Sequence, residues 1–576
     1  MLFQLKMLKI SYLMIWKFIL ILSIIITLAS NNLFATTYYV SNSGNDTINS
    51  GLSPADSWLT IDKVNNTNLV AGDSVLFNRN DTWNKELKIL KSGSSGLNIV
   101  FGAYGEGSKP IIDLLSQGDK AISCSRSYIT IQDLILKNSP HNGLAIDVTG
   151  GAKDINVFRV EIFNAGKNAL AVRKGGSDFL IDGVRVINAK NNGIYFSGTE
   201  LNKVSNVIVQ NCYVSGVRSN DGIVVHQNSA GETAGSNFII RNNYAELCAE
   251  QGFDVTTGSD IILDNNISKN NLRGGVVVGH SANNVTIQRH TSLYEPTQNT
   301  AAAIILGATN VKLIYSQIIG NGNHLVWIKK NETDTGDDNI EIYNNVFAWD
   351  GGGTMMDITE EIDVLKVKNN IFTTLKGNMG TAIRFQSVKR PPSYATYEFD
   401  NNLYYSPDGD VQFYFEGNTT YYSLEEYKTT FKQGQNSFSA NPEFVNLDSS
   451  DFHLTSISPA IDKGIDVGLT FDFDSTLVPY NSIPDIGAFE YSLPTSVMEN
   501  SSFLDVLLYP NPVNDFLFIT SGMKIKDAWV VNMQGQYMDV EIVNSSINTS
   551  SLKNGLYCLK LESEKEIFTT KFIVRH

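Results

Sequence analysis

Cysteine is almost missing from this chain: four residues, Cys124, Cys212, Cys248 and Cys558, stand among 576. So few, so widely spaced, exclude a disulfide framework and leave no metal-ligand spacing. Cys212 and Cys248 fall near equivalent positions of a repeat, so they read as buried small residues rather than a bonded pair. Charge is scarce too, at 18% of residues, and 44 Lys and Arg against 59 Asp and Glu give a net charge of −15. That balance argues against nucleic acid or an anionic membrane surface as a partner. Beyond the N-terminal segment no apolar run is long enough to cross a membrane. There is no phosphate-binding loop, no dinucleotide fingerprint and no zinc signature. What the chain does have is 45 Gly, 24 Tyr and abundant Asn and Ser, a composition suited to a β-rich extracellular protein.

Residues 1 to 35 read as a secretory leader. Lys6, Lys9 and Lys17 supply the positive region, Phe18 to Leu28 the apolar stretch, and Leu33-Phe34-Ala35 a cleavage site. The apolar stretch is short against the ~20 residues of a membrane span, so export is expected rather than anchoring.

The centre of the chain repeats itself. Asn220-Asp221-Gly222-Ile223-Val224-Val225-His226 is followed by Glu250-Gln251-Gly252-Phe253-Asp254-Val255-Thr256 and by Gly274-Gly275-Val276-Val277-Val278-Gly279-His280. A period of roughly two dozen residues signals a solenoid of stacked units, none of which can bury itself alone. Strand side chains alternate faces. Ile223 and Val225, Phe253 and Val255, and Val276 and Val278 are therefore expected inward, with His226 and Asp254 outward. The same frame extends upstream and places Asp147, Arg173 and Tyr195 outward. Coils stack ~4.8 Å apart, so Arg173, Tyr195, His226 and Asp254 are expected on one face, within reach of a single ligand. The fold expected is all-β: a single-stranded parallel β-helix, then a small β-sandwich at the C-terminus.

The segments Thr37 to Asp46, Gly51 to Thr60, Gly72 to Phe77 with Asp81-Thr82-Trp83, and Phe101 to Gly107 resemble the entry cap and first coils of secreted pectate-lyase-like right-handed β-helix proteins. The resemblance covers roughly residues 37 to 492. It implies a right-handed solenoid and, since many relatives cut polysaccharides, a carbohydrate substrate; it does not decide the chemistry. Asn-Asn pairs at 242–243, 265–266, 344–345, 369–370 and 401–402 are expected to stack at one turn of successive coils, because Asn tolerates the left-handed conformation of a tight bend. His290 replaces an asparagine of that ladder and is expected to be structural. Insertions at 227–236 and 331–338 are expected to wall a binding face. Residues 435–491 resemble the closing segment of bacterial β-helices, with His453 and Asp462 as capping structure.

Residues 493–505 read as a linker. After it, Leu508-Tyr509-Pro510-Asn511-Pro512-Val513 and Asn554-Gly555-Leu556-Tyr557 resemble the C-terminal sorting domain of the type IX secretion system. That resemblance places the protein at the surface of, or outside, a Bacteroidetes-type bacterium, with the secretion machinery as a partner of residues 506–576.

For chemistry, His226 and Asp254 are the expected acid–base core, as a base and the group that orients it. Asp221, Glu250, Arg273 and His280 surround them, and Arg173 and Tyr195 are expected to contact substrate. Glu250 and Arg273 either stack as an ion pair or leave Arg273 free to neutralise a substrate carboxylate, as a lyase requires. Hydrolysis would instead use two carboxylates, among Asp221, Glu250 and Asp254. Asp221 stands where Asn142, Asn168 and Asn192 stand in other coils, so it also reads as a turn residue. Glycines beside these groups are expected to let a ligand approach the backbone. Clustered carboxylates suit Ca²⁺, as in the pectate lyases, although no motif requires it. An enzyme acting on an extracellular polysaccharide, lyase or glycoside hydrolase, is the leading expectation; a non-catalytic glycan-binding or adhesin-like surface protein is the alternative. A monomer is expected.

Overall fold

Inward-facing apolar residues stack in register from one coil to the next, and that stacking is the core. Leu144, Leu170, Ile194, Ile223, Phe253 and Val276 pair in sequence across parallel strands, each at most 1% exposed. Burying each such side chain contributes about 1.5–3 kcal/mol, which a single coil cannot secure but a stack can. The chain forms a right-handed parallel β-helix with a 26-stranded and a 14-stranded sheet, as expected. In the central coils two strands run on as one: Gln251–Asp264 and Gly274–Gln288 each pair with both strands that a neighbouring coil contributes to the larger sheet. This computed structural model describes residues 35–492, except 148–149, 200, 228–232, 296–300, 321–322, 330–337, 350–352, 361, 378 and 387–396, and most of 506–574. The expected leader up to residue 34, the linker 493–505 and the middle of both expected insertions lie outside the described residues.

Each Asn-Asn pair divides its labour. The first residue takes the left-handed bend, with φ of +55° at Asn242, +52° at Asn265 and +57° at Asn369. The second turns inward and accepts the backbone N–H of the coil before. Asn345 N–H donates to Asn370 Oδ1 (3.0 Å), and Asn370 N–H to Asn402 Oδ1 (3.0 Å). The ladder starts earlier, where Cys212 N–H donates to Asn243 Oδ1 and Asn243 N–H to Asn266 Oδ1. His290 continues it, fully buried, with its N–H donated to Ser316 Oγ, so its role is structural as expected. Burial holds its imidazole neutral, with a pKa lowered to about 3. Cys212 and Cys248 do not share a position, contrary to expectation: Cys248 belongs to a second ladder, donating its N–H to Asn271 Oδ1. All four cysteines are free thiols.

The end of the solenoid carries a helix, Leu424–Phe431, with a complete capping box between Ser423 and Glu426. It turns Leu424, Tyr427 and Phe431 onto the last coils, where Tyr427 stacks on Phe413 at 4.4 Å. The closing segment does not sit at that end. It runs back along the outside of the 14-stranded sheet, where Phe452, Leu454, Ile486 and Phe489 cover Ile319, Val346, Ile371 and Leu403. Those outward apolar positions explain the path, because uncovered they would face water. The C-terminal segment forms two four-stranded antiparallel sheets whose side chains meet in one apolar cluster, with Leu517 and Ile547 from one and Leu559 and Phe572 from the other.

Candidate active site

The outer face of the larger sheet carries the expected groups, in two neighbouring columns. Tyr195, Val224, Asp254 and Val277 are successive cross-strand partners and form the first. Asp147 pairs with Arg173, and Ser197 with His226, one pleat further along the strands. Arg173, Tyr195, His226 and Asp254 are all half-buried. The inward and outward assignments therefore hold. The details of contact differ.

His226 is not oriented by Asp254. Its Nδ1 lies 2.8 Å from the backbone oxygen of Gln227. A carbonyl only accepts, so Nδ1 carries the proton and Nε2 is the working nitrogen. Asp254 binds the Thr256 hydroxyl instead, Oγ1 donating to Oδ1 at 2.7 Å. The two residues still feel each other. Burial raises the Asp254 pKa to about 6, while the Thr256 bond and the charge of His226 pull it down and Glu250 pushes it up. His280 is exposed, with a left-handed backbone (φ +53°), and its pKa is lowered by burial and by the charge of His226.

Asp221 is the buried member, 5% exposed. It stands in the turn ladder of Asn142, Asn168 and Asn192, and its Oδ1 accepts the Gln251 N–H at 2.7 Å. Burial, then the charges of Asp254 and Glu250, push its carboxyl up to about 8 against that bond and Arg273. The repulsion belongs to the pair: one charge on the two carboxyls is tolerated near neutral pH, and Asp254, nearer solvent, takes it.

Glu250 and Arg273 settle as an ion pair, with Nη1 to Oε1 at 2.6 Å. Arg173 faces Asp147 at 3.6 Å, and Lys174 approaches the same carboxylate at 3.3 Å. Tyr195 lies between Arg173 and Asp254, and burial raises its hydroxyl pKa. The glycines do not open the backbone to a ligand. A Cβ on Gly222 would meet Gly252 O at 2.5 Å, and one on Gly275 would meet Ser268 Oγ at 2.3 Å. They are required by the contact between coils. Among the described residues no three of His, Cys, Asp and Glu converge as metal ligands.

The first column continues beyond the central phrase through Ile304, Trp327, Asp357, Arg384 and Tyr414. Sequence reading missed these groups, because Met355 occupies the place of the marker glycine in the Asp357 coil. The signal that remained was the polar or aromatic residue between Val326 and Ile328, Met356 and Ile358, and Ile383 and Phe385. A separate groove of about 580 Å³ follows Ile208, Ile239 and Ile262, and Asp260 is the one ionisable residue lining it. It offers apolar contact without acid–base chemistry.

Comparison with known proteins matches this architecture. A family model for the right handed beta helix region matches residues 120–292, and one for the secretion system C-terminal sorting domain matches residues 507–575. The protein is thus a right-handed β-helix carrying a type IX sorting domain, exported to the cell surface or beyond in the manner of Bacteroidetes. A lacto-N-biosidase of Bifidobacterium longum is 25% identical over 312 residues, which are 50% of this chain and 19% of that protein. The chain therefore spans about a fifth of that relative's length. The crystal structure of GH136 lacto-N-biosidase from Eubacterium ramulus aligns at 18% identity, TM-score 0.46, over 64% of this chain and 68% of its own. PfbA, a surface adhesin of Streptococcus pneumoniae, aligns at 13% identity, TM-score 0.41, over 61% and 87%.

Proposed function

We propose that the protein is a secreted carbohydrate-active enzyme that hydrolyses glycosidic bonds of an extracellular polysaccharide at the face bearing Asp254 and His226. One observation carries the reading: Asp254, on the outer face, has its pKa raised to about 6 and is flanked by His226, while its buried neighbour Asp221 stays neutral. Titratable groups pushed apart in this way are the raw material of acid–base catalysis. Hydrolysis needs one group to deliver a proton to the leaving oxygen and another to accept the proton of the attacking water. The charge of His226 lowers the Asp254 pKa and so favours its ionised form. Asp254 therefore accepts the proton from water, and Nε2 of His226 delivers one to the leaving oxygen. Asp221 is a positioning residue: by staying neutral it leaves Asp254 as the one nearby charge of the pair. Elimination is disfavoured, since Arg273, which would neutralise a substrate carboxylate, is already engaged by Glu250. The 25% identity with a lacto-N-biosidase supports a glycoside hydrolase over a lyase.

The alternative, a glycan-binding surface without catalysis, draws on the place of Asp221 in a structural ladder. A panel of plant, algal and host polysaccharides, scored for new reducing ends and for unsaturated products, separates the readings. Reducing ends alone support the hydrolase, and both together a lyase. Neither, with glycan still retained, leaves the binder.

A further inference from the structure

Four coils beyond Asp254 the same column presents a second built cluster. Asp357 is 1% exposed on what is nominally the outer face, and Arg384 grips it with both arms, Nε to Oδ1 at 2.9 Å and Nη2 to Oδ2 at 2.6 Å. His324 Nε2 approaches the same carboxylate at 3.6 Å, and its Nδ1 is buried without a partner. A desolvated ion pair of this kind is seldom worth more to stability than apolar residues of like volume. Its position on an outer face calls for another use. The pair fixes the guanidinium plane, and Nη1 meets no acceptor among the described residues, while part of the Arg384 side chain reaches solvent. Aromatic rings flank it along the column: half-buried Trp327 on one side, and Tyr414 with the exposed Tyr421 at 4.7 Å on the other. The Trp327 indole is steadied by Nε1 donating to Thr359 Oγ1 at 3.2 Å.

We propose that Trp327, Asp357–Arg384 and the Tyr414–Tyr421 pair form a glycan-binding subsite that takes an uncharged sugar unit of the same polysaccharide chain that Asp254 cleaves. Flat rings suit the C–H faces of a pyranose, and oriented N–H donors suit its hydroxyls. The sugar is uncharged because Asp357 already balances Arg384, and the charge of Glu416 acts on the guanidinium as well. At ~4.8 Å per coil, Trp327 lies ~14 Å and Arg384 ~24 Å from Asp254, the reach of a short oligosaccharide. The inference rests on the Asp254 reading for its direction and deepens it: the enzyme acts within a chain, anchoring one part while cleaving another.

The test uses the full-length secreted protein on an array of neutral and uronate hexasaccharides, and on whichever polysaccharide the wild type cleaves. Arg384→Gln strands the buried Asp357 carboxylate, so Trp327→Ala and Tyr421→Ala, both on the solvent side, carry the test, with Trp327→Phe as rescue. Wild type and Asp254→Asn should both bind a neutral hexasaccharide. Trp327→Ala should weaken that binding at least tenfold, raise KM for the polymer similarly, leave kcat unchanged, and keep the wild-type Tm. Unchanged Kd and KM in both alanine variants overturn the subsite, and so does binding of uronates alone. If Asp254→Asn still cleaves while Trp327→Ala raises KM, the subsite stands and the Asp254 assignment falls.

Discussion

Asp221 accepts the backbone N–H of Gln251 at 2.7 Å, in the slot where Asn142 accepts from Asn168 and Asn168 from Asn192, three and two coils earlier. An aspartate thus completes an asparagine ladder beside a second carboxylate. The ladder needs an acceptor at this position, and the surroundings need it uncharged. A protonated carboxyl meets both demands, which is the state that burial and Asp254 impose.

Asp221→Asn tests this through stability. The folded-state pKa of about 8 lies above the ~3.9 of an unfolded aspartate, so the native state binds a proton that the unfolded chain releases. Wild-type stability therefore falls as pH rises from about 4 through 8, and the amide variant loses that slope. Relative to wild type it should gain stability between pH 5 and pH 9, by more than ~1.4 kcal/mol, the equivalent of one pKa unit. Urea unfolding at the two pH values measures it. A constant difference would mean that the carboxyl is already ionised. Activity should stay within tenfold of wild type, because the variant copies the neutral form.

Asp254→Asn and His226→Ala should behave in the opposite way. Each removes a proton-transfer group, which contributes ~10²–10⁴-fold, and kcat on a proven substrate should fall by at least that much. Both side chains are half-buried and sit outside the core, so Tm should hardly move. In wild type, kcat/KM should decline below about pH 6 as Asp254 gains its proton. Full activity in both variants would move the site elsewhere on the face.

The asparagine ladder is expected to dominate local stability. Asn370 is fully buried, and its amide donates to Ile342 O, Lys368 O and Asn402 Oδ1 while accepting from Asn345. Asn370→Ala orphans several of these groups at ~1–3 kcal/mol each, so a loss of about 3 kcal/mol or more is expected in urea unfolding. Asn370→Asp keeps the acceptor but not the donor, and should rescue little. A loss under ~1 kcal/mol would show that water replaces the amide there.

Much of this was legible in the amino-acid order, because a solenoid repeats local rules. Gly222, Gly252 and Gly275 mark where each rung begins, and counting from them sorted Ile223 inward and Asp254 outward without error. Paired asparagines marked the turns. Contacts across coils were less legible, since side-chain rotation is not periodic: His226 turned to its own strand's Gln227, and Asp254 to Thr256. The marker glycines also misled, because their missing Cβ serves the neighbouring coil rather than a ligand. Asp357 and Arg384 escaped because their coils carry no marker at all. Residues 435–491 resemble a closing segment, but their path over Val346 and Ile371 depends on outward apolar residues that look like any others in the sequence.

That closing segment has its own pH dependence, centred on His453. Its Nδ1 faces Asp451 Oδ1 at 2.5 Å and its Nε2 faces Asp474 Oδ2 at 2.7 Å, with the ring over Phe489 at 4.1 Å. Both nitrogens meet acceptors, so both carry protons and the ring is a cation. Burial alone would lower its pKa, but the two carboxylates prevail and raise it to about 10. With the folded value above the ~6.5 of an unfolded histidine, the stabilisation is complete below about pH 6.5 and is lost as pH rises through about 10. The side chain is 47% exposed, so solvent screening limits the contribution to ~1 kcal/mol. His453→Gln should therefore unfold at a lower temperature than wild type at pH 6, and at the same temperature at pH 10.5. Hydrogen exchange of the Asp451–Leu454 strand should report the loss at its source. A variant that is equally destabilised at both pH values would assign His453 to packing against Phe489 rather than to its charge.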